Sequence, residues 1–350
     1  MRIKSGMRAA CSVIAAAVAM LAMSPDLSAQ GLMVTGYADF EATVSNVGAD
    51  AGSNFFFDNH HFNVVVLGNV AGDLFAAAEV EYEHAGEEIG LEYGYLTYRG
   101  AENFRVSAGK FIVPFGRFNK DLHPTWINKM VDRPHGFRDI FPQTYSDVGI
   151  WLSGGFPLGD DATFSMDAFV VNGLMGEDGS GIRGFRGNDR EKQSDGARDD
   201  NKAVGGRLGF VLPNQHLDFG GSVYTGNSAD LSTQDLTLTF FGVDAHYFYE
   251  GLSIRAEFIT ADQEATGGDL RKKGGYLQAA YQANRNWEPV VRFSVRDMPG
   301  ESSDQSRFSL GLNYYISPAG TVRLNYHINT EETGFESENN VLIAQFVTGF

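Results

Sequence analysis

The sequence predicts an all-β protein, a sixteen-stranded antiparallel transmembrane β-barrel whose third outside loop folds inward. Three observations carry that prediction. Runs of about ten residues alternate apolar and polar from Leu32 to the end, the connections between them alternate long and short, and a secretory signal precedes them. A soluble β-sandwich would also alternate, but it does not explain the signal, the terminal Phe350 and the one-sided loop lengths together.

The signal spans residues 1–29, and the barrel domain occupies 30–350. Arg2, Lys4 and Arg8 form a basic start, Val13 to Met23 an apolar stretch, and Leu27-Ser28-Ala29 a small-residue cleavage site before Gln30. The apolar stretch is shorter than the roughly 20 residues a spanning helix needs. Cys11, the only cysteine, lies within the 1–29 signal, so a cleaved chain carries no thiol and no disulfide. Arg2, Lys4, Arg8 and Asp26 contribute a net +2 to the formal charge of −17, which leaves −19 on the remainder. Such acidity argues against nucleic acid as a partner.

The last two strands show what the alternation means. Leu342, Ala344, Phe346, Thr348 and Phe350 share one face, and Val322, Leu324, Tyr326 and Ile328 alternate with Arg323, Asn325, His327 and Asn329. Lipid outside and water inside explain both faces. Extending the phase gives strands near 32–43, 59–70, 73–84, 90–99, 103–110, 146–155, 162–172, 202–212, 215–225, 236–249, 251–261, 273–284, 286–297, 304–316, 319–330 and 338–349. Short turns at 71–72, 100–102, 156–161, 213–214, 250, 285 and 317–318 alternate with longer polar connections. That asymmetry puts the turns and both termini on the periplasmic side. Tyr93, Tyr95, Tyr247, Tyr249, Trp287 and Tyr314 fit interfacial girdles.

On the inward phase, Asp39, Glu41, Glu79, Glu81, Glu83 and Glu92 make an acidic sector, and Arg255, Arg292, Arg296, Arg323 and His327 a basic one interrupted by Glu257. Across the seam between the first and last strands these sectors are near neighbours. Together they either neutralise one another in a wet lumen or set up a transverse field that orients a passing solute. Glu79, Glu81 and Glu83 read as a solvated acidic stripe rather than a cation cage.

The 111–145 connection is the anomaly, long enough to point to function or disorder. It carries Arg117, Lys120, Lys129, Arg133 and Arg138 against Asp121, Asp132 and Asp139, with Phe115, Phe118, Trp126, Phe137 and Phe141 among them. The aromatics suit an anchor to the inner wall. With Lys110, the cations suit a constriction for an anion, since guanidinium groups bind carboxylate or phosphate with paired donors.

Gly109-Lys110-Phe111 followed by Pro114-Phe115-Gly116, Ser146-Asp147-Val148-Gly149 opening the next strand, and Phe169-Val170-Val171-Asn172-Gly173 closing the seventh resemble the porin O and P family of outer-membrane channels, named for phosphate-selective members. The resemblance implies a sixteen-stranded barrel, a homotrimer, and a third outside loop folded inward. It also implies a passage lined by many lysines and arginines. This chain departs there, with few lysines and acidic first strands. The departure keeps the architecture and leaves phosphate as one candidate solute.

The expected function is therefore an outer-membrane porin of Gram-negative type, a passive channel for small hydrophilic solutes or ions with an anion bias at 111–145. The other reading is a plugged barrel acting as an adhesin or structural protein. An enzyme is not expected, because no Gly-x-Ser-x-Gly elbow occurs and the Ser and His positions scatter. His60, His61, His84, His123 and His135 lack metal-ligand spacing on one element, so no metal and no cofactor are expected. The Gly-, Asp- and Arg-rich 173–201 segment reads as a mobile loop. Membrane lipid and lipopolysaccharide are the expected surroundings.

Overall fold

A computed structural model describes residues 30–47, 52–135, 137–142, 144–176, 184–185, 202–229, 235–264, 268–299, 305–332 and 337–350. The signal at 1–29 and most of the 173–201 segment lie outside the described residues. Sixteen strands close one antiparallel barrel. They are β1 (Gln30–Ser45), β2 (Asn54–Ala71), β3 (Leu74–Glu83), β4 (Glu88–Tyr98), β5 (Phe104–Ile112), β6 (Ser146–Leu158), β7 (Ala162–Val171) and β8 (Ala203–Leu212). The series continues with β9 (Leu217–Ala229), β10 (Asp235–Tyr249), β11 (Leu252–Gln263), β12 (Leu270–Tyr281), β13 (Trp287–Asp297), β14 (Gln305–Tyr315), β15 (Gly320–Glu331) and β16 (Val341–Gly349).

Each strand pairs with its neighbours in sequence, and β16 returns to β1 with Tyr37 opposite Gly349 and Val44 opposite Leu342. Phe350 finishes the closure, its amide and carbonyl each 3.0 Å from their partners on Gly36. A closed barrel leaves no edge, the condition for strands to cross lipid with every backbone group paired. No described helix is long and apolar enough to span a membrane.

The two faces are inverted relative to a soluble protein. Phe40, Phe62, Ile150, Leu208, Val243, Leu277, Phe293, Leu310 and Leu324 are exposed on the outside, while Asp39, Asn63, Glu79, Asp167, Asp244, Glu257, Arg292, Asn313 and Gln345 are buried on the inside. Lipid on one face and polar partners on the other make that arrangement stable.

Strand β2 begins at Asn54 rather than near 59, because Phe55, Phe56 and Phe57 in succession hide the alternation. Two irregularities change which residues face inward. Between Asp39 and Glu41 the register with β2 jumps from His61 to Asp58, so Asn59 and His60 oppose only Phe40. Between Glu79 and Val80 it jumps from Tyr93 to Leu91, so the register skips Glu92, which turns inside at 2% exposure. Such bulges re-aim side chains without ending the sheet.

The apolar core lies between the inner wall and the 113–145 segment. Phe111, Phe115, Phe118, Phe137, Ile140, Phe141 and Tyr145 pack on Phe169, Tyr224, Phe240, Ile259 and Tyr276. Phe115 stacks on Phe141 with centroids 4.4 Å apart and meets Phe240 edge-on at 6.0 Å.

Candidate functional site: the loop inside the barrel and its anchors

The segment leaves β5 through Val113-Pro114 and turns at Gly116, whose φ of +62° lies in the left-handed region that glycine tolerates. It then forms one π-helical turn, Phe118–Leu122, and a short helix, Phe137–Ile140. Its base is pinched shut. The Val113 amide donates to the Tyr145 carbonyl at 2.9 Å, and the Asn119 side chain donates to the Val113 carbonyl at 2.8 Å while accepting the Tyr145 amide at 2.9 Å. That closure lets more than thirty residues behave as one compact unit rather than an open chain.

Contacts run from this unit to wall residues right around the barrel. On the β9 to β11 side, Ser222 accepts the Gly116 amide at 2.9 Å, and Glu257 accepts the amides of Phe118 at 2.9 Å and Arg117 at 3.2 Å. On the far side Thr125 donates to Asp39 of β1 at 2.6 Å, and Arg323 of β15 donates to the Thr125 carbonyl at 2.5 Å. Asn325 accepts the Val131 amide at 2.8 Å, and Asn313 donates to the Lys129 carbonyl at 3.0 Å. A single segment can touch β1, β7 and β9 to β15 together only from within the closed wall.

The cations expected at a constriction are used as anchors. Arg117 pairs with Asp218, Lys120 reaches Asp167 at 2.6 Å, and Lys129 pairs with Glu288. Arg133 faces Glu92, Glu81 and Glu83; burial pulls its guanidinium down to about 10 against their attraction. The Arg138 side chain lies outside the described residues. Lys110 is a correction: it sits opposite Val148 on the outward phase, between the inward Gly109 and Phe111, and its ammonium bonds the Leu91 carbonyl. Proximity to the loop suggested a pore position, but the two-residue period of the strand points it the other way.

Among the loop acids whose side chains are described, Asp132 holds the most partners. It pairs with Arg292, takes Arg307 Nη1 at 2.6 Å and lies 3.6 Å from His327 Nε2. Burial opposes its charge, but His327 and the Arg292 and Arg307 guanidiniums hold its carboxyl below the usual carboxylate range. Burial has the opposite consequence for the loop histidines. It pushes His123 down to about 3, helped by Arg133, and His135 down to about 4, helped by Arg307.

On the wall, Asp39, Glu41, Glu79, Glu81, Glu83 and Glu92 gather on β1, β3 and β4. Asn63 binds this group together, donating to Glu79 at 2.6 Å and Glu81 at 3.2 Å. Arg292 and Arg323 are buried and engaged with the loop, and His327 Nδ1 meets Ser309 Oγ at 2.8 Å. Gln345 links the two sectors, accepting from Arg323 at 3.1 Å and donating to Glu41 at 2.9 Å. Arg296 stands on the inward phase of β13. Arg255 of β11 makes no hydrogen bond or ion pair among the described residues, and its Nε is buried without a partner. Sequence reasoning missed Arg105, which lines a cavity of about 380 Å³ with Lys120, Trp151, Ser153 and Asp167 below the loop. Its phase on β5, two residues before the buried Ser107, was the available signal.

A family model described as phosphate-selective porin O and P matches residues 33–344. An uncharacterized protein of Aquifex aeolicus (strain VF5) is 30% identical over 295 residues, covering 71% of this chain and 65% of that protein's length. Among solved structures, the anion-selective porin from Comamonas acidovorans superposes with a TM-score of 0.67 at 12% identity, over 91% of this chain and 99% of that one. OmpF of Salmonella typhi gives 0.65 at 12% identity over 91% and 97%, and the trimer form of OmpT of Vibrio cholerae 0.62 at 11% over 92% and 100%. At these identities the structures establish the fold.

Proposed function

The chain belongs to the phosphate-selective porin O and P family, and on that premise we propose that its barrel is a water-filled channel of the outer membrane for passive diffusion of small hydrophilic solutes, biased toward anions. The observation that carries the bias is the division of labour among the cations. Arg117, Lys120 and Lys129 are neutralised by wall carboxylates, whereas Arg105 and Arg255 point inward with no hydrogen bond or ion pair among the described residues. Two such guanidiniums on the wall of a low-dielectric lumen offer paired donors to a passing oxyanion. The inward carboxylates and the formal charge of −17 work against a tight phosphate trap, so weak selection among small anions fits better than specific capture.

The signal would be removed after Ala29, and the outward apolar faces would meet lipid, with the outside loops toward lipopolysaccharide. A homotrimer fits the same reading, as the trimer form of OmpT shares the fold.

Reconstitution in a planar bilayer tests the proposal. Discrete conductance steps with an anion-side reversal potential under a salt gradient are expected, and Arg105→Ala with Arg255→Ala should move that potential toward cations. Folded protein without steps would favour the plugged-barrel reading, and an unmoved potential would place selectivity elsewhere. Mild-detergent sedimentation reads the trimer.

A further inference from the structure

The barrel mouth between β1, β2 and β3 holds a group of side chains that channel function does not require. His61 of β2 lies between two sets of carboxylates. Its Nδ1 is 3.0 Å from Asp39 Oδ2, and its Nε2 is 3.5 Å from Glu83 Oε1 and 3.9 Å from Glu81 Oε1. The three donor atoms of His61, Glu81 and Glu83 lie within 4.8 Å of one another. We propose that His61 Nε2, Glu81 and Glu83 bind one divalent first-row transition-metal ion, of which zinc is the representative, with water completing the coordination.

The two sides of the imidazole differ in a way that decides its role. A carboxylate only accepts, so the 3.0 Å contact fixes a proton on Nδ1, and Nε2, which faces Glu81 and Glu83, is the nitrogen that binds an ion once its own proton is displaced. Asp39 is itself held by the Thr125 hydroxyl at 2.6 Å and the His61 amide at 3.3 Å. This is the carboxylate–histidine arrangement that orients a metal-binding ring. On the Nε2 side the separations exceed a good hydrogen bond. Two ligands at ~2.0–2.2 Å from a tetrahedral zinc stand roughly 3.3–3.6 Å apart. The 3.5 Å separation to Glu83 falls in that range, and the 3.9 Å to Glu81 lies beyond it by an amount that a small side-chain shift onto a shared ion closes.

Spacing along one strand could not show this, since the donors come from neighbouring strands with His61 opposite Glu83. The bulge at Asn59-His60 supplies a further element, turning His60 toward the same side, where its Nδ1 meets Glu41 at 3.3 Å and its ring lies 4.0 Å from that of His61. Glu81 is steadied by Asn63 at 3.2 Å. Access is from the mouth, where the Glu83 side chain is 28% exposed. Arg133 is the facing cation, and Glu41, Glu79 and Glu92 add negative charge behind the ligands. One imidazole with two carboxylates favours zinc and its neighbours over magnesium or calcium, which prefer all-oxygen sites.

Calorimetric titration of the whole chain, folded in detergent and stripped with chelator, tests the site with Zn²⁺. One saturable ion per chain is expected, unaffected by millimolar Mg²⁺. His61→Gln should weaken it at least ~100-fold and Asp39→Asn by ~10–100-fold, as for partners that orient metal-bound histidines. His60→Gln should leave it within about threefold, because His60 serves Glu41 rather than the ion. If His61→Gln fails to fold, Glu83→Gln on the exposed rim carries the test, with a loss of ~10-fold or more expected on removal of a ligand charge. No saturable binding to the native chain, equal displacement by Mg²⁺, or unchanged affinity in His61→Gln or Glu83→Gln overturns the proposal.

Discussion

Glu257 of β11 accepts the backbone amide of Phe118 at 2.9 Å, so a carboxylate buried on the barrel wall holds the turn at which the inner loop begins. Its other oxygen takes the Arg117 amide at 3.2 Å. Helical turns begin with amides that have no internal partner. Here the wall supplies that partner, and the loop's position becomes a property of the barrel.

Glu257→Leu removes both acceptors and leaves two interior donors unsatisfied, at about 1–3 kcal/mol each. The barrel should still form, but the loop should loosen. Limited trypsin digestion reads this directly, since Arg117 and Lys120 become cleavable once they leave Asp218 and Asp167. Glu257→Gln keeps one oxygen and should be milder. A Leu variant as resistant as the native chain would show that the aromatic packing alone fixes the loop.

Gly116 is constrained twice. Its φ is +62°, and a Cβ there would lie 1.9 Å from Glu257 Oε1. Gly116→Ala should cost about 1–2 kcal/mol for the left-handed backbone alone, plus the displacement of Glu257. Gly155, where a Cβ would meet nothing within 4 Å, is the control. Trypsin sensitivity should rise in Gly116→Ala and stay native in Gly155→Ala; equal behaviour would refute the close-approach argument.

Asp132 is the keystone on the opposite side, between Arg292 and Arg307. Asp132→Asn keeps the shape but strands a fully buried Arg292, a change that costs about 3–5 kcal/mol in buried pairs. The expected result is a lowered urea midpoint for loop release, followed through Trp126 fluorescence. Asp132→Leu combined with Arg292→Met should recover much of the loss, because the fully buried charge is gone and Arg307, which also donates to Asn329, is partly exposed. Failure to recover would mean that the Arg307 and His327 contacts dominate.

Much of this architecture was legible because lipid and water impose opposite demands on alternate residues. That contrast located all sixteen strands and placed Asp39, Glu79, Arg292 and Arg323 on one phase. It failed where the period breaks, at Phe55-Phe56-Phe57 and at the bulges beside His60 and Glu92. The aromatic content of 111–145 was enough to expect an anchor. Its ion pairs were not readable, because Arg117 with Asp218 and Lys129 with Glu288 join positions far apart in the chain, and only closure of the barrel brings them together. Lys110 was misassigned for the reverse reason, closeness in sequence to the loop being given more weight than strand phase.

Acid should release the loop, through its histidines rather than through Asp132. The Asp132 carboxyl is lowered in the folded state, so its stabilisation is complete above the ordinary carboxylate range and is lost progressively only as the pH falls from that range through its depressed value. His123 behaves oppositely. Its Nδ1 donates to the Asn119 carbonyl at 3.0 Å, and its Nε2 is buried without a partner, so the folded loop resists a second proton down to about pH 3. A released loop would take that proton near pH 6.5. Stability is therefore unaffected above pH 6.5 and falls as the pH drops below it. By pH 4.5 the loss from His123 reaches about 3 kcal/mol at 1.36 kcal/mol per pH unit. His135, lowered to about 4 and bonded to Gln305 at 2.8 Å, adds in the same direction. Digestion by an acid-active protease such as pepsin should rise steeply between pH 6.5 and 4 in the native chain, judged against a pH-matched unstructured substrate. His123→Phe, which fills the site without a titrating group, should flatten that rise. A native chain equally resistant at pH 4.5 and pH 7 would show that burial of His123 does not control the loop.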